Sequence, residues 1–102
     1  MPLPPRNHRI SLEDAVGMTR RWRQRFPQAI KAGAFHADQV RELLEQPGCV
    51  ALRIYNGMND QNEAQFVLVG VDKSDRDMTE GVLLEFHVPC PPFCEDGSAL
   101  NS

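Results

Sequence analysis

The hydrophobic period of this chain changes once, at "QPGC", Gln46 to Cys49, and that change most constrains what it can fold into. Before it, apolar residues recur at helical spacing; after it, they alternate or run unbroken, as strands require. Ser11 is an N-cap candidate, with Glu13 and Asp14 in the first turn, where the helix dipole favours negative charge. Leu12, Ala15, Val16, Trp22 and Phe26 share one arc, with Thr19 at its centre and Arg23 near its edge. Pro27 disfavours helical geometry at Phe26 and closes the element. "PQAIKAGA" reads as a connector. "FHADQVRELLEQPG" reads as a second helix starting near His36 or Ala37, with Val40, Leu43 and Leu44 as its stripe and "QPG" as its stop.

Beyond Cys49, "CVALRIYNG" places Val50, Leu52 and Ile54 on one face and Ala51, Arg53 and Tyr55 on the other. "NGMNDQNE" is a polar hairpin loop, and the wholly apolar "AQFVLVGV" fits a central strand covered on both faces. "DKSDRDMTEG" reads as a solvated turn. "VLLEFHV" then sets Val82, Leu84, Phe86 and Val88 against Leu83, Glu85 and His87. The expected fold is α+β: two N-terminal helices packed on a three-stranded antiparallel meander, followed by a Pro-rich C-terminal segment. A chain of 102 residues holds one core. Residues 1–10 are expected as a flexible arm, 11–96 as a single domain and 97–102 as a tail.

The formal charge of −3 is unevenly spread: residues 1–48 hold eight Lys/Arg against five Asp/Glu, and residues 49–102 hold three against nine. Complementary surfaces within the fold account for this. A nucleic-acid or anion site on Arg20, Arg21, Arg23 and Arg25 is the weaker reading, because a pI near 5.5 lacks the usual basic footprint. No apolar run approaches the roughly 20 residues that span a bilayer. "MPLPPRNHRI" has no apolar core of a secretory signal. The expectation is a cytoplasmic protein without membrane partners, its cysteines reduced unless they do chemistry.

Two places could carry function. On the second sheet face, Arg53, Tyr55, Glu85 and His87 project together over Val67, Val69 and Val71. Arg53 and Glu85 stand two strand spacings apart, about 10 Å. This face is expected to bind a protein partner, a second copy before a small molecule. Arg23 is read first as a rim residue with its head in water, and alternatively as a carboxylate or phosphate ligand. The second place is "HVPCPPFC". His87, Cys90 and Cys94, completed by Cys49 or His36, could hold zinc, although the spacer exceeds the usual knuckle. An extended proline-rich spacer sets Cys90 and Cys94 about 12 Å apart, whereas a disulfide needs Cα atoms within roughly 7 Å. Bridging them demands a tight turn at Pro92–Phe93 or a cis proline. Extension, with Phe93 as a stiffly held apolar anchor, is the first reading. No thioredoxin-type C-x-x-C, calcium loop, phosphate loop or nucleophile elbow occurs.

"ISLEDAVGMTRRWR", "KAGAF", "QPGCVALRIYNG", "FVLVGVD" and "VPCPPFC" together resemble a family of short uncharacterised bacterial proteins sharing a QPGC…LVGVD…CPP(F/Y)C pattern. That resemblance spans nearly the whole chain after the arm and implies a cytoplasmic stand-alone domain; it brings no catalytic roles. The functional expectation is a non-catalytic interaction or ligand-binding module, a homodimer without cofactor. The alternative is a thiol redox or zinc protein using Cys90 and Cys94.

Overall fold

The structure, a computed structural model, describes residues 2–101. In chain order it contains α1 (Leu12–Arg25), β1 (Ala32–Ala34), α2 (Ala37–Leu44), β2 (Cys49–Met58), β3 (Ala64–Asp72), β4 (Leu83–Leu84), β5 (Val88–Cys90) and a short 3-10 helix, η1 (Ala99–Asn101). These form two compact units: Phe35–His87 with the first residues of the chain, and Arg6–Ala34 with the segment from Val88 onward.

The first unit is an antiparallel sheet in the order β2-β3-β4, with α2 packed against all three strands. The alternation expected of β2 sets the register. Ile54 pairs with Leu68 and Asn56 with Phe66 on one face; Arg53 pairs with Val69 and Tyr55 with Val67 on the other. The pairing shifts between Cys49 and Ala51, which leaves Val50 at an irregularity. Leu43 of α2 and Val71 of β3 are fully buried, and Leu68 and Val69 nearly so. At eight residues α2 is too short to be stable by itself, so packing through Leu43 holds it.

Gly48, at φ +84, takes the left-handed conformation that follows the end of α2. The Gln46 side chain then ties the helix to the sheet: its amide donates to Leu43 O at 2.7 Å, and its Oε1 accepts from Val82 N–H at 2.8 Å. A Cβ at Gly81 would run into that Oε1. Gly81→Ala is therefore expected to displace Gln46, orphan the Val82 N–H and cost about 1–3 kcal/mol. Urea unfolding checks this, and an unchanged midpoint would show that the link is dispensable.

The third meander strand is much shorter than the expected 82–88. Only Leu83 and Leu84 pair, with Val69 and Leu68. Phe86 adopts φ 65, a left-handed conformation foreign to a strand, so alternation fails there. Phe86 consequently stands 82% exposed rather than facing the core, and His87 turns inward to 6%.

In the second unit, Ser11 caps α1 as expected, its Oγ accepting from Asp14 N–H at 3.0 Å. No residue of α1 is buried; Ala15, Val16, Thr19 and Arg23 are half-buried, while Leu12, Trp22 and Phe26 of the expected arc are exposed. Thr19 satisfies its hydroxyl on the Ala15 and Val16 carbonyls. Within this unit α1 packs with η1, and Arg23 Nη1 donates to Leu100 O. Residues expected as a tail thus hold a short helix. The connector also holds a strand: β1 pairs antiparallel with β5, Ala32 opposite Cys90 and Ala34 opposite Val88. "AGA" has no branched or aromatic residue to signal a strand.

Candidate functional site

The expected face resolves into a polar cluster built from β2 and the β3–β4 loop. Arg53 and Tyr55, two apart on a strand, project to one side. The loop folds back through an Asx-type turn, in which Asp72 Oδ1 accepts from Ser74 N–H at 2.9 Å and Arg76 N–H at 3.0 Å. Asp75 takes φ 65, and Asp77 makes a bridge with Val71. Both carboxylates then reach Arg53: Nη1 donates to Asp77 Oδ1 at 2.6 Å and Nη2 to Asp75 Oδ1. The Tyr55 hydroxyl donates to Asp77 Oδ2.

The electrostatics follow from these bonds. Hydrogen bonds donated to Asp75 and then to Asp77 push the Arg53 guanidinium further above its ordinary range. The Tyr55 hydroxyl, its bond to Asp77 first among the causes, rises above 10.0, and Asp77 falls below 3.8 chiefly through the bond from Tyr55. Asp72 is also lowered, first by the Arg76 backbone N–H. The signs are opposite. The stabilisation from Asp77 is present above its ordinary value and lost as pH falls through the lowered one. That from Tyr55 is present below its ordinary value and lost as pH rises through the raised one. The Tyr55–Asp77 contact therefore contributes across the range between the ordinary carboxylate and phenol values, and is lost beyond it on either side. Tyr55 is the single tyrosine, so ultraviolet phenolate absorbance reads it alone. A midpoint above 10.0 is expected, moving down in Asp77→Asn. A midpoint that ignores the substitution would break the assignment.

Other expected members lie elsewhere. Glu85 is exposed and takes no part in the cluster. His87 lies between Phe35 and Phe66, with ring centroids at 6.4 and 5.4 Å, and its Nδ1 has no partner. Phe66 belongs to the face opposite Arg53, so His87 is on the wrong side for that site; the turn at Phe86 puts it there. The supposed floor is closed as well, since Val69 and Val71 are buried. Arg23 belongs to the second unit. Sequence reading missed Asp75 and Asp77 by treating their loop as solvated. The available signal is three aspartates in six residues, beginning at the last residue of the strand that neighbours Arg53.

The exposed apolar surface is on the other face of β2. Ile54 and Met58 are 56% and 67% exposed there, with Leu52 at 36%, and Val50, at the irregularity, is 62% exposed.

The extended reading of "CPPFC" is overturned. Cys90 and Cys94 form a disulfide with Cα atoms 4.9 Å apart. The Cys90–Pro91 and Pro91–Pro92 peptides are cis and turn the chain back. Phe93 N–H donates to Pro89 O at 2.9 Å and Cys94 N–H to Pro92 O at 3.1 Å. The two sulfurs are thus bonded to each other and not presented as a zinc pair. Among the described residues no group of three or more His, Cys, Asp or Glu could hold a metal ion. Cys49 is a free thiol that donates to Ala51 O at 3.3 Å. Phe93, the expected anchor, is 69% exposed. Among the described residues no helix is long and apolar enough to cross a membrane. Comparison with protein-family models, curated proteins and solved structures finds no match.

Proposed function

We propose that this chain is a small, non-catalytic, cytoplasmic binding module that self-associates through β2. The observation that carries the reading is an unprotected edge. β2 is ten residues long and terminates the sheet, and among the described residues no strand pairs with its outer side. Edge strands are ordinarily guarded by lysine, proline or inward charges. β2 contains no lysine and no proline, and its single charge, Arg53, is bound to Asp75 and Asp77. Alongside that edge stand Val50, Leu52, Ile54 and Met58.

A second copy is the occupant these features suit, because an antiparallel strand pair about a two-fold axis is self-complementary. Centring the axis on Arg53 would set two guanidinium groups directly opposite, which is unfavourable. Centring it on Ile54 sets isoleucine against isoleucine, Val50 against Met58, and Arg53 against Tyr55 of the other copy. That register gathers the exposed apolar residues on one face of a continuous six-stranded sheet. Size-exclusion chromatography with light scattering tests the proposal: a dimer is expected at micromolar concentration. A clean monomer at high micromolar concentration would overturn it.

A further inference from the structure

We infer that the Cys90–Cys94 disulfide is a redox-exchangeable couple, that Cys94 is the sulfur attacked, and that its electron donor is a dithiol. Cys90 is 8% exposed, whereas Cys94 is half-buried and follows the exposed Pro91, Pro92 and Phe93. Cys94 is therefore the more solvent-accessible residue of the pair, and the one an incoming thiolate reaches more readily. The bridge joins residues only four apart. Chain-entropy stabilisation grows with loop length, so a ring this small is a weak staple.

The turn also has supports other than the S–S bond. Cys90 lies in the β1–β5 pair, its carbonyl accepting from Lys31 N–H at 2.8 Å, and two backbone hydrogen bonds close the loop from Pro89 to Cys94. With these in place the thiols stay close after reduction, as reversible exchange requires. A protein donor would meet apolar Phe93 and the exposed acidic pair Glu95 and Asp96, which suits a dithiol protein with a basic, partly apolar rim.

The exchange runs as follows. A donor thiolate attacks Cys94 Sγ; the Cys90–Cys94 bond breaks, a donor–Cys94 disulfide forms, and Cys90 leaves as a thiolate that takes a proton from water. The donor's second thiol gives its proton to solvent and attacks the donor's first sulfur, releasing Cys94 as a thiolate that is protonated in turn. The dithiol becomes a disulfide, and the protein gains two thiols, with two electrons and two protons transferred.

This inference uses residues of the second unit and does not depend on association through β2. Its test takes the full chain in native buffer with dithiothreitol as donor, counting alkylated thiols by mass spectrometry against Cys49 as internal baseline. Two additional thiols are expected with unchanged circular dichroism, and oxidised glutathione should remove them again. For direction, oxidised glutathione should load Cys94 in Cys90→Ser at least about tenfold faster than it loads Cys90 in Cys94→Ser. Should either variant misfold, wild type treated with reduced glutathione and quenched by alkylation gives the same information by peptide mapping. A bridge that opens only in urea, or glutathione found on Cys90 as often as on Cys94, overturns the inference.

Discussion

Ile54→Lys is expected to turn the self-associated chain into a monomer, weakening the dimer at least about 100-fold, or about 2.7 kcal/mol. In the proposed register the two-fold axis passes through this residue, so one substitution sets two ammonium groups opposite each other. Like charges directly opposite in a strand pair are destabilising, and lysine is the residue natural edges use to refuse a neighbour. Ile54 is 56% exposed, so the folded monomer should tolerate the change. Light scattering across a concentration series reads the result. A charge-swap control fixes the register: Ile54→Glu alone should also be monomeric, and an equal mixture with Ile54→Lys should recover a heterodimer. Recovery would not follow from general repulsion between acidic chains. A Lys variant that stays dimeric would exclude Ile54 from the centre of the contact.

The parts of this fold legible in sequence were those governed by local periodicity. The cap at Ser11, the stop after α2 and the alternation of β2 from Ala51 onward each depend on residues within a few positions, and each stands where the pattern puts it; the register shift between Cys49 and Ala51 is the exception. What alternation could not convey was which face would be covered. Val50, Leu52 and Ile54 share a face as read, yet they are exposed, because a pattern of apolar residues does not name its lid. The last strand failed at Phe86, where a bulky residue takes a backbone conformation that no periodicity announces. β1 is invisible for the opposite reason: "AGA" offers no branched or aromatic side chain, and its partner β5 lies more than fifty residues away in sequence. The site shows the same division. Arg53 and Tyr55 were found as strand neighbours, while Asp75 and Asp77 are brought to them by a loop closure. Cys90 and Cys94 stand closer than the sequence suggests because a proline-rich spacer reads as trans polyproline, whereas this one turns through cis bonds.

Leu43→Ala should produce the largest loss of stability of any single truncation in the first unit, about 2–5 kcal/mol. Leu43 is the one fully buried residue that α2 contributes, and α2 touches β2, β3 and β4. Domain stabilities are about 5–15 kcal/mol, so the variant would lose a large share of its margin. With urea m-values of about 1–3 kcal/mol/M, the midpoint should fall by roughly 1 M or more. Leu44→Ala is the paired control: its side chain is 44% exposed, and a shift below about 1 kcal/mol is expected there. Equal losses at the two positions would mean that α2 does not sit on the sheet in this rotation. The cost at Leu43 also reaches beyond its own cavity. Its carbonyl accepts from the Gln46 amide, and the same side chain holds Val82 N–H beside β4. A helix that shifts to fill the space left by Leu43 must carry Gln46 with it. Hydrogen exchange in Leu43→Ala should therefore quicken at Val82 as well as in α2, whereas an effect confined to α2 would show that the Gln46 link yields independently.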